Sequence, residues 1–374
     1  MDKDVVKVLY LTLSGSKVGG AEAQYRYLIE GLKGSRYSPI VVCPNQGDLA
    51  EHFISLGVPT YIMKLPMWRK AKSAFTRYLA AARLVRFAGE MGIGLIHSEF
   101  RMNHYLISVS RKLGIPCVSH LRGPIRPDQV MKYRFRDVSM IITISERYKR
   151  MLLRNGIPPE KVTFIHDSVD LNRFRPLQPG VNVLRRDFSP EGEVLIGIVG
   201  RIEPYKRQLD FLRAVEIILR ERRNASFFVI GGVQSKGYFK RMRRFIADRG
   251  LNRHVIFTGA RDDMPEVMAS LDILVTFSGG SVMLEAMACG KPVISVREVN
   301  PLDPNWQIVR DGETGYVIPR DDIPVLVETM IRLIDDPGLR RRLGREGRRW
   351  AEERFSHSQM TLKTLRVYER LVER

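Results

Sequence analysis

Residues 275–295 read VTFSGGSVMLEAMACGKPVIS, and their types and spacing suit one particular chemistry. An apolar strand runs into the small-residue turn Ser278-Gly279-Gly280-Ser281. A short helix follows, and Gly290 with Pro292 stops it. Amides at a helix N-terminus lack intrahelical partners and sit at the positive end of the helix dipole, so this turn suits a phosphate. Glu285, expected in the first turn of that helix, offers a carboxylate to a pair of hydroxyls. A phosphate and a diol are two parts of a nucleotide-sugar. The same carboxylate also fits a purely structural role, because a first turn favours negative charge.

A second group follows the apolar run Val194–Val199: Gly200-Arg201-Ile202-Glu203-Pro204-Tyr205-Lys206. Arg201 brings a planar fork and Lys206 a compact point charge, together enough to neutralise a diphosphate leaving group. Two surface cations on a loop have the same sequence. Gly231-Gly232 close another strand, where a base or ribose has room, or where the chain simply turns. In the first half, Gly19-Gly20 open a helix directly after a strand, but two adjacent glycines are not the G-x-G-x-x-G dinucleotide fingerprint. His120 follows the strand over 117–119, and a histidine there faces a ligand site as readily as the core. The remaining histidines and the cysteines show no metal-binding spacing.

The elements that must position these residues alternate between strand and helix. Strands are expected over 7–13, 39–43, 61–63, 95–97, 117–119, 140–144 and 162–165, with helices over 21–32 and 73–87 among the segments between them. Phe75, Leu79, Ala82 and Val85 mark the apolar face of the second helix, and Ser73 is its cap. The stretch 174–193 is dense in Pro and Gly and reads as a linker. A second alternating block follows, with strands over 194–199, 226–230 and 255–257 and helices over 208–220 and 238–249; it ends in a helix after Ser356. The doubled pattern predicts an α/β protein of two doubly wound, Rossmann-like domains facing a cleft, with ligands beyond the carboxyl ends of the strands.

The 374 residues suffice for two cores, and 44% hydrophobic against 27% charged residues is a globular balance. No apolar run is long enough to span a bilayer, and the N-terminus does not resemble a signal peptide. Cys43, Cys117 and Cys289 are far apart in apolar surroundings, which suits a reducing cytoplasm. The net charge of +20 is uneven: residues 1–190 hold 30 Lys and Arg against 15 Asp and Glu. No acid occurs over 52–89, where Lys64, Arg69, Lys70, Lys72, Arg77, Arg83 and Arg86 fall among Met67, Trp68 and Phe75. Such a stretch suits an anionic membrane surface or substrate, or simply a solvated basic face. No nucleic-acid reader motif accompanies the charge.

Six stretches, in order, resemble the retaining nucleotide-sugar glycosyltransferases of the GT-B fold, in the group called family 4. They are GGAEAQYRYLIEGL, VSHLRGP, IHDSVDLNRFRP, GRIEPYKRQLDFLRA, LEAMACGKPVIS and DGETGYVIP; the final SHSQMTLKTLRVYERL looks like a helix returning to the first domain. The resemblance implies an acceptor-binding domain over 1–180, a donor-binding domain over 181–355 and a returning helix over 356–374. It implies that Arg201 and Lys206 bind the donor diphosphate and that Glu285 binds the ribose. Gly279, Gly280 and Ser281 would offer backbone contacts with Val282 beside them, and His120 would lie near the donor sugar. Gly19, Gly20, Gly200, Gly231 and Gly232 would make room for the donor. It implies no metal and no cofactor beyond the nucleotide-sugar itself, whose base is unspecified. The expected acceptor is a lipid-linked, phosphorylated or polysaccharide glycan at the cytoplasmic face of a membrane, with no nucleic-acid partner.

The pattern has two departures. The family's Glu-x7-Glu would place a carboxylate at 277, where this chain has Phe277, and Asp167-Ser168 stand where Asn-Gly is favoured. The first leaves a degenerate or non-catalytic nucleotide-sugar-binding protein as a competing reading, and the implied fold itself leaves a sugar phosphorylase or a nucleotide-sugar epimerase.

Overall fold

Strands such as VLIGIV and ASFFVI are apolar along their whole length, and in the folded chain every residue of both is buried. That is the pattern of parallel strands covered on both faces. The computed structural model of the chain describes residues 5–16, 20–67, 74–123, 125–178, 180–191, 193–297 and 308–373. Two units emerge: Met1–Ser168 together with His357–Arg374, and Val169–Ser356.

Unit 1 runs β1 (Val6–Leu11), α1 (Gly20–Gly31), β2 (Tyr37–Cys43), α2 (Asp48–Ser55), β3 (Thr60–Ile62), α3 (Ala74–Glu90), β4 (Ile93–Glu99), α4 (Asn103–Leu113), β5 (Cys117–Leu121), α5 (Pro127–Lys132), β6 (Met140–Thr143), α6 (Glu146–Arg154) and β7 (Val162–Phe164). Its strands, among the described residues, lie in the order β3-β2-β1-β4-β5-β6-β7, and every pair is parallel. Unit 2 runs α7 (Val183–Phe188), β8 (Val194–Val199), α8 (Gln208–Glu221), β9 (Ala225–Ile230), α9 (Lys236–Asp248), β10 (Val255–Gly259), α10 (Met264–Ser270), β11 (Ile273–Thr276), α11 (Ser281–Ala288), β12 (Val293–Arg297), β13 (Gly315–Pro319), α12 (Ile323–Asp335) and α13 (Pro337–Arg354). Its order is β10-β9-β8-β11-β12-β13, again parallel. Each sheet reverses its winding between its first and fourth strands, β1/β4 and β8/β11, and that switch point is where such sheets take ligands.

The last helix, α14 (His357–Val372), belongs to unit 1 and packs on α1. Gly31 permits the approach, because a Cβ there would collide with the Thr361 side chain. The Tyr27 and His357 rings stack 3.7 Å apart. Tyr368 carries the helix into the interior, its hydroxyl 2.7 Å from the Tyr10 hydroxyl and 2.6 Å from His97 Nδ1. All three side chains are buried. Burial and the nearby Arg122 charge push the His97 imidazole down to about 3, so it packs as the neutral ring.

Two expectations change. The Pro- and Gly-rich stretch 174–193 is part of unit 2: Phe174, Val183 and Leu184 are buried in its core, and the chain passes between units at Ser168/Val169 and Ser356/His357. Proline and glycine mark irregular backbone there, not a lack of packing. On α3 the stripe of Phe75, Leu79 and Ala82 faces outward, with Phe75 74% and Leu79 49% exposed, while Arg77, Ala80, Ala81, Leu84 and Ala88 face inward. Leu84 and the small Ala80, Ala81 and Ala88, not Phe75 and Leu79, seat α3 in the core of unit 1. Trp68, Arg69, Lys70, Lys72 and Ser73 lie outside the described residues. Among those described, no helix is long and apolar enough to cross a membrane, and Cys43, Cys117 and Cys289 are free and buried.

Removing the Tyr368 hydroxyl strands two buried partners, so Tyr368→Phe is expected to cost unit 1 about 1–3 kcal/mol in urea unfolding. His97 binds its proton more weakly folded than unfolded. Its contribution to stability is therefore complete above about 6.5 and lost as pH falls toward about 3. The urea midpoint should drop between pH 7 and pH 5, and His97→Asn should flatten that slope.

Candidate functional site

The residues singled out in the second half converge on the switch point of unit 2. β8 ends at Gly200, with φ of 143°, and β9 at Gly231, with φ of 144°. A Cβ on Gly231 would strike the Gly200 carbonyl oxygen, so the two strand ends abut in a way only glycine allows. Gly232 accepts a backbone hydrogen bond from Ile202, 2.8 Å, which ties the loop after β8 to the end of β9. The loop then tightens into a 3₁₀ turn over Pro204–Lys206 and enters α8.

Lys206 is the centre of this arrangement. Its stem lies over Gly200, where a Cβ would stand 3.2 Å from the Lys206 Cε. Its ammonium donates to Ser278 Oγ at 2.9 Å, across the switch from β8 to β11. Burial lowers its pKa; Glu203 works against that shift and Arg201 adds to it. Arg201 is more exposed, at 68% of its side chain, and pairs with Glu203 at 3.3 Å. The two cations therefore differ: one is set into the fold, the other lies at the rim.

Beyond Ser278 the chain turns through Gly279 and Gly280, both at positive φ (63° and 94°), into the N-terminus of α11 at Ser281. Val282 packs at the edge of the core beneath. Glu285 lies one turn further than expected, not in the first turn. Because the helix starts only at Ser281, the two residues stand i, i+4 and the Ser281 hydroxyl bonds the Glu285 carboxylate. Burial raises the Glu285 pKa, against the Ser281 hydrogen bond and the Arg173 charge. α11 ends as expected, with Gly290 at φ of 69° and the Lys291 amide reaching back to the Ala286 carbonyl at 2.9 Å.

Phe277 is turned away from this group. It is buried with Ile273 and Val275 in the core formed with α8 and α12, and Arg207 stands 5.7 Å from its ring centroid. Arg207 is held by Asp210 and Asp321. An acid at 277 would thus stand among apolar residues and near the Arg207 guanidinium. Ser278, which sequence reasoning treated only as part of a turn, is the residue that meets the cation.

In unit 1, His120 lies inside β5 and not after it, since the strand runs on to Leu121. It is buried, stacked on His97 with centroids 5.5 Å apart and planes within 10°. Gly20 is the first residue of α1; Gly19 lies outside the described residues. Sequence reasoning missed Arg122, Asp167 and Gln24. Arg122 pairs with Asp167 and faces His120 Nδ1 at 3.2 Å. Gln24 on α1 donates to the Ser168 carbonyl and accepts from its amide, both at 2.8 Å. The partners are 144 residues apart for Gln24–Ser168 and 45 for Arg122–Asp167, so no local spacing announces them.

Comparison with known proteins agrees with this geometry. Residues 18–173 match the family described as Glycosyltransferase Family 4, and residues 183–350 match Glycosyl transferases group 1. A D-inositol 3-phosphate glycosyltransferase of Streptomyces bingchenggensis is 31% identical over 61% of this chain and 52% of its own. A galactosyltransferase of Escherichia coli, named for UDP-Gal and a GlcNAc-diphosphoundecaprenol, is 21% identical over 82% of each chain. The chain spans about half the length of the first curated relatives it matches. Among solved structures, Anabaena HepE in complex with UDP and glucose superposes with a TM-score of 0.82 at 21% identity, over 97% of this chain and 99% of that one. A glycosyltransferase of Rickettsia africae gives 0.87 at 17% identity, over 99% and 100%. Two family matches side by side, one on each parallel-sheet unit, with that fold likeness, place the chain in the group 1, family 4 glycosyltransferases of the GT-B fold.

Proposed function

We propose that the chain transfers a sugar from a nucleoside diphosphate donor to an acceptor hydroxyl, with retention at the anomeric carbon and without a metal. The observation that carries this reading is the half-buried Lys206, whose ammonium is held against Ser278 at the switch point of unit 2. It lies next to a Gly279-Gly280 turn that opens a helix N-terminus. A cation with lowered pKa and an uncapped row of amides together favour an oxyanion. Arg201 at the rim adds a fork that can swing from Glu203 to a phosphate. Glu285 supplies the carboxylate for the ribose.

In the proposed step the bond from C1 to the diphosphate oxygen breaks while the acceptor oxygen bonds C1 on the same face. The acceptor proton passes to the departing diphosphate. The protein contributes position and positive potential where negative charge builds up. These groups can stabilise the leaving group without a divalent ion.

The acceptor is proposed to be anionic or lipid-linked, taken at the cytoplasmic face of a membrane. The excess of Lys and Arg over residues 1–190 supports this. So does α3, where outward-facing Phe75 and Leu79 accompany exposed Arg83 and Arg86. Two relatives carry names that specify an inositol 3-phosphate and a diphosphoundecaprenol.

Screening nucleotide-sugars by thermal shift should find one that stabilises the chain, and transfer from it should persist in EDTA. Lys206→Ala should cut that transfer about 10²–10³-fold with the circular dichroism unchanged. Full activity in that variant, or loss of activity in EDTA, would sink the corresponding claim. Flotation should show binding to anionic vesicles that exceeds binding to neutral ones and weakens in Phe75→Glu/Leu79→Glu. No binding to either vesicle would remove the membrane claim.

A further inference from the structure

The Lys206–Ser278 contact has a neighbour one residue along. Arg207 follows Lys206 and Phe277 precedes Ser278, and the Arg207 guanidinium lies 5.7 Å from the Phe277 ring centroid. Two adjacent pairs thus join the loop leaving β8 to the end of β11. The Arg207 side chain is 18% exposed. Its Nε donates to Asp210 in the first turn of α8, and a terminal nitrogen donates to Asp321 in the turn between β13 and α12. Asp210 also accepts from Arg213 at 2.8 Å, and the Tyr238 hydroxyl stands near the pair, accepting from the Leu209 amide at 2.9 Å. The backbone is the unusual part. Arg207 has φ of 57° and ψ of 31°, the left-handed region that a Cβ disfavours, and its partner Asp321 is left-handed too, with φ of 68°. The turn demands this of Arg207. Its amide closes the 3₁₀ turn on the Pro204 carbonyl at 3.1 Å, and its own carbonyl opens α8 by accepting from the Asp210 amide at 2.9 Å. Glycine would take that backbone without penalty.

We propose that Arg207 is a positioning residue: anchored on Asp210 and Asp321 and laid on the Phe277 ring, it sets the Lys206 loop against the Ser278 turn and so fixes the geometry in which that pair receives a diphosphate. The identity of the ligand rests on the glycosyltransferase reading; the clamp itself does not. Arg207 is not required to touch the ligand. It acts through the residues beside it, through Lys206 on its own loop and through Ser278 by way of Phe277. The departure at 277 finds a use here. An aromatic ring at the end of β11 gives the guanidinium a face to lie on, while the edge of the fork stays available to the two aspartates. Asp321 is 71% exposed, so its pair contributes less than that of Asp210, which is 12% exposed. Lysine cannot replace this arrangement, because an ammonium has neither the planar face nor the fork.

The test combines calorimetric titration of the full chain with UDP, GDP, ADP and CDP, the tightest serving as probe, and amide hydrogen exchange of the free chain. Arg207→Gly keeps the left-handed backbone and removes the clamp, whereas Arg207→Ala removes the clamp and keeps the strain. Arg207→Gly should therefore melt about 1–3 °C above Arg207→Ala, yet both should bind the diphosphate about five- to twentyfold more weakly than wild type. In the free chain, exchange over 278–281 should quicken about threefold or more in Arg207→Gly, although that turn is remote in sequence. Phe277→Leu should do the same over 205–208. In a Lys206→Ala background, adding Arg207→Gly should weaken binding by less than about twofold, because Arg207 acts through Lys206; a merely structural role would cost the same factor in both backgrounds. Wild-type affinity in Arg207→Gly overturns the proposal. So does an equal loss in both backgrounds, or unchanged exchange over 278–281. A wild-type chain that binds none of the four diphosphates, with exchange over 278–281 quickened in Arg207→Gly, leaves the clamp in place and defeats only the functional reading.

Discussion

An ammonium group taken partly out of water must be compensated, and in unit 2 the fold brings Lys206 to the switch point of the sheet, against the Ser278 hydroxyl. The parallel sheet fixes that place. Because β8 and β11 are neighbours that wind in opposite directions, the loops leaving them separate, and Lys206 and Ser278 meet across the gap although 72 residues apart. The glycines around them follow from the same constraint. Gly200 and Gly231 let two strand ends touch, and Gly279-Gly280, both at positive φ, let the chain turn into α11. Burial lowers the Lys206 pKa, and under the proposed function an incoming diphosphate would reverse that shift.

Unit 1 applies the opposite rule. Its interior pairs charged and polar groups within the unit, Arg122 with Asp167, Glu99 with the part-exposed Arg101, Tyr10 with Tyr368 and His97, although Glu99 Oε2, His97 Nε2 and His120 Nε2 are buried without a hydrogen-bond partner. Burial keeps both His97 and His120 neutral, and the nearby Arg122 charge reinforces this. α14 is needed for this interior, since it supplies the Tyr368 hydroxyl. The C-terminal segment is thus part of the polar core of the unit that begins the chain.

Much of this was legible in the sequence, for a physical reason. Strands buried on both faces are continuous apolar runs, so Val194–Val199 could be read to the residue. The doubled strand–helix alternation gave the two sheets, and the glycines gave the strand ends. Periodicity failed on α3, because a helical repeat finds an apolar face without saying which way it points, and the alanines on the opposite side carry too little signal. It failed again at 174–193, where Pro and Gly density hid Phe174, Val183 and Leu184 as core residues. The pairs that define the sites were out of reach for a third reason. Arg122–Asp167, Gln24–Ser168 and Lys206–Ser278 are made by topology, and spacing along the chain carries no trace of them. Phe277 is the reverse case: its departure from the family pattern was visible at once, but only the fold shows that its side chain belongs to the core.

The central claim is that Lys206 and the turn after Ser278 receive a diphosphate. Calorimetric titration with a nucleoside diphosphate across alkaline pH addresses it most directly. If the claim holds, affinity stays constant while Lys206 is charged and falls as pH rises through its lowered pKa, and Lys206→Ala binds at least about tenfold more weakly with no such fall. Equal affinity and an identical pH profile in the two proteins would contradict it.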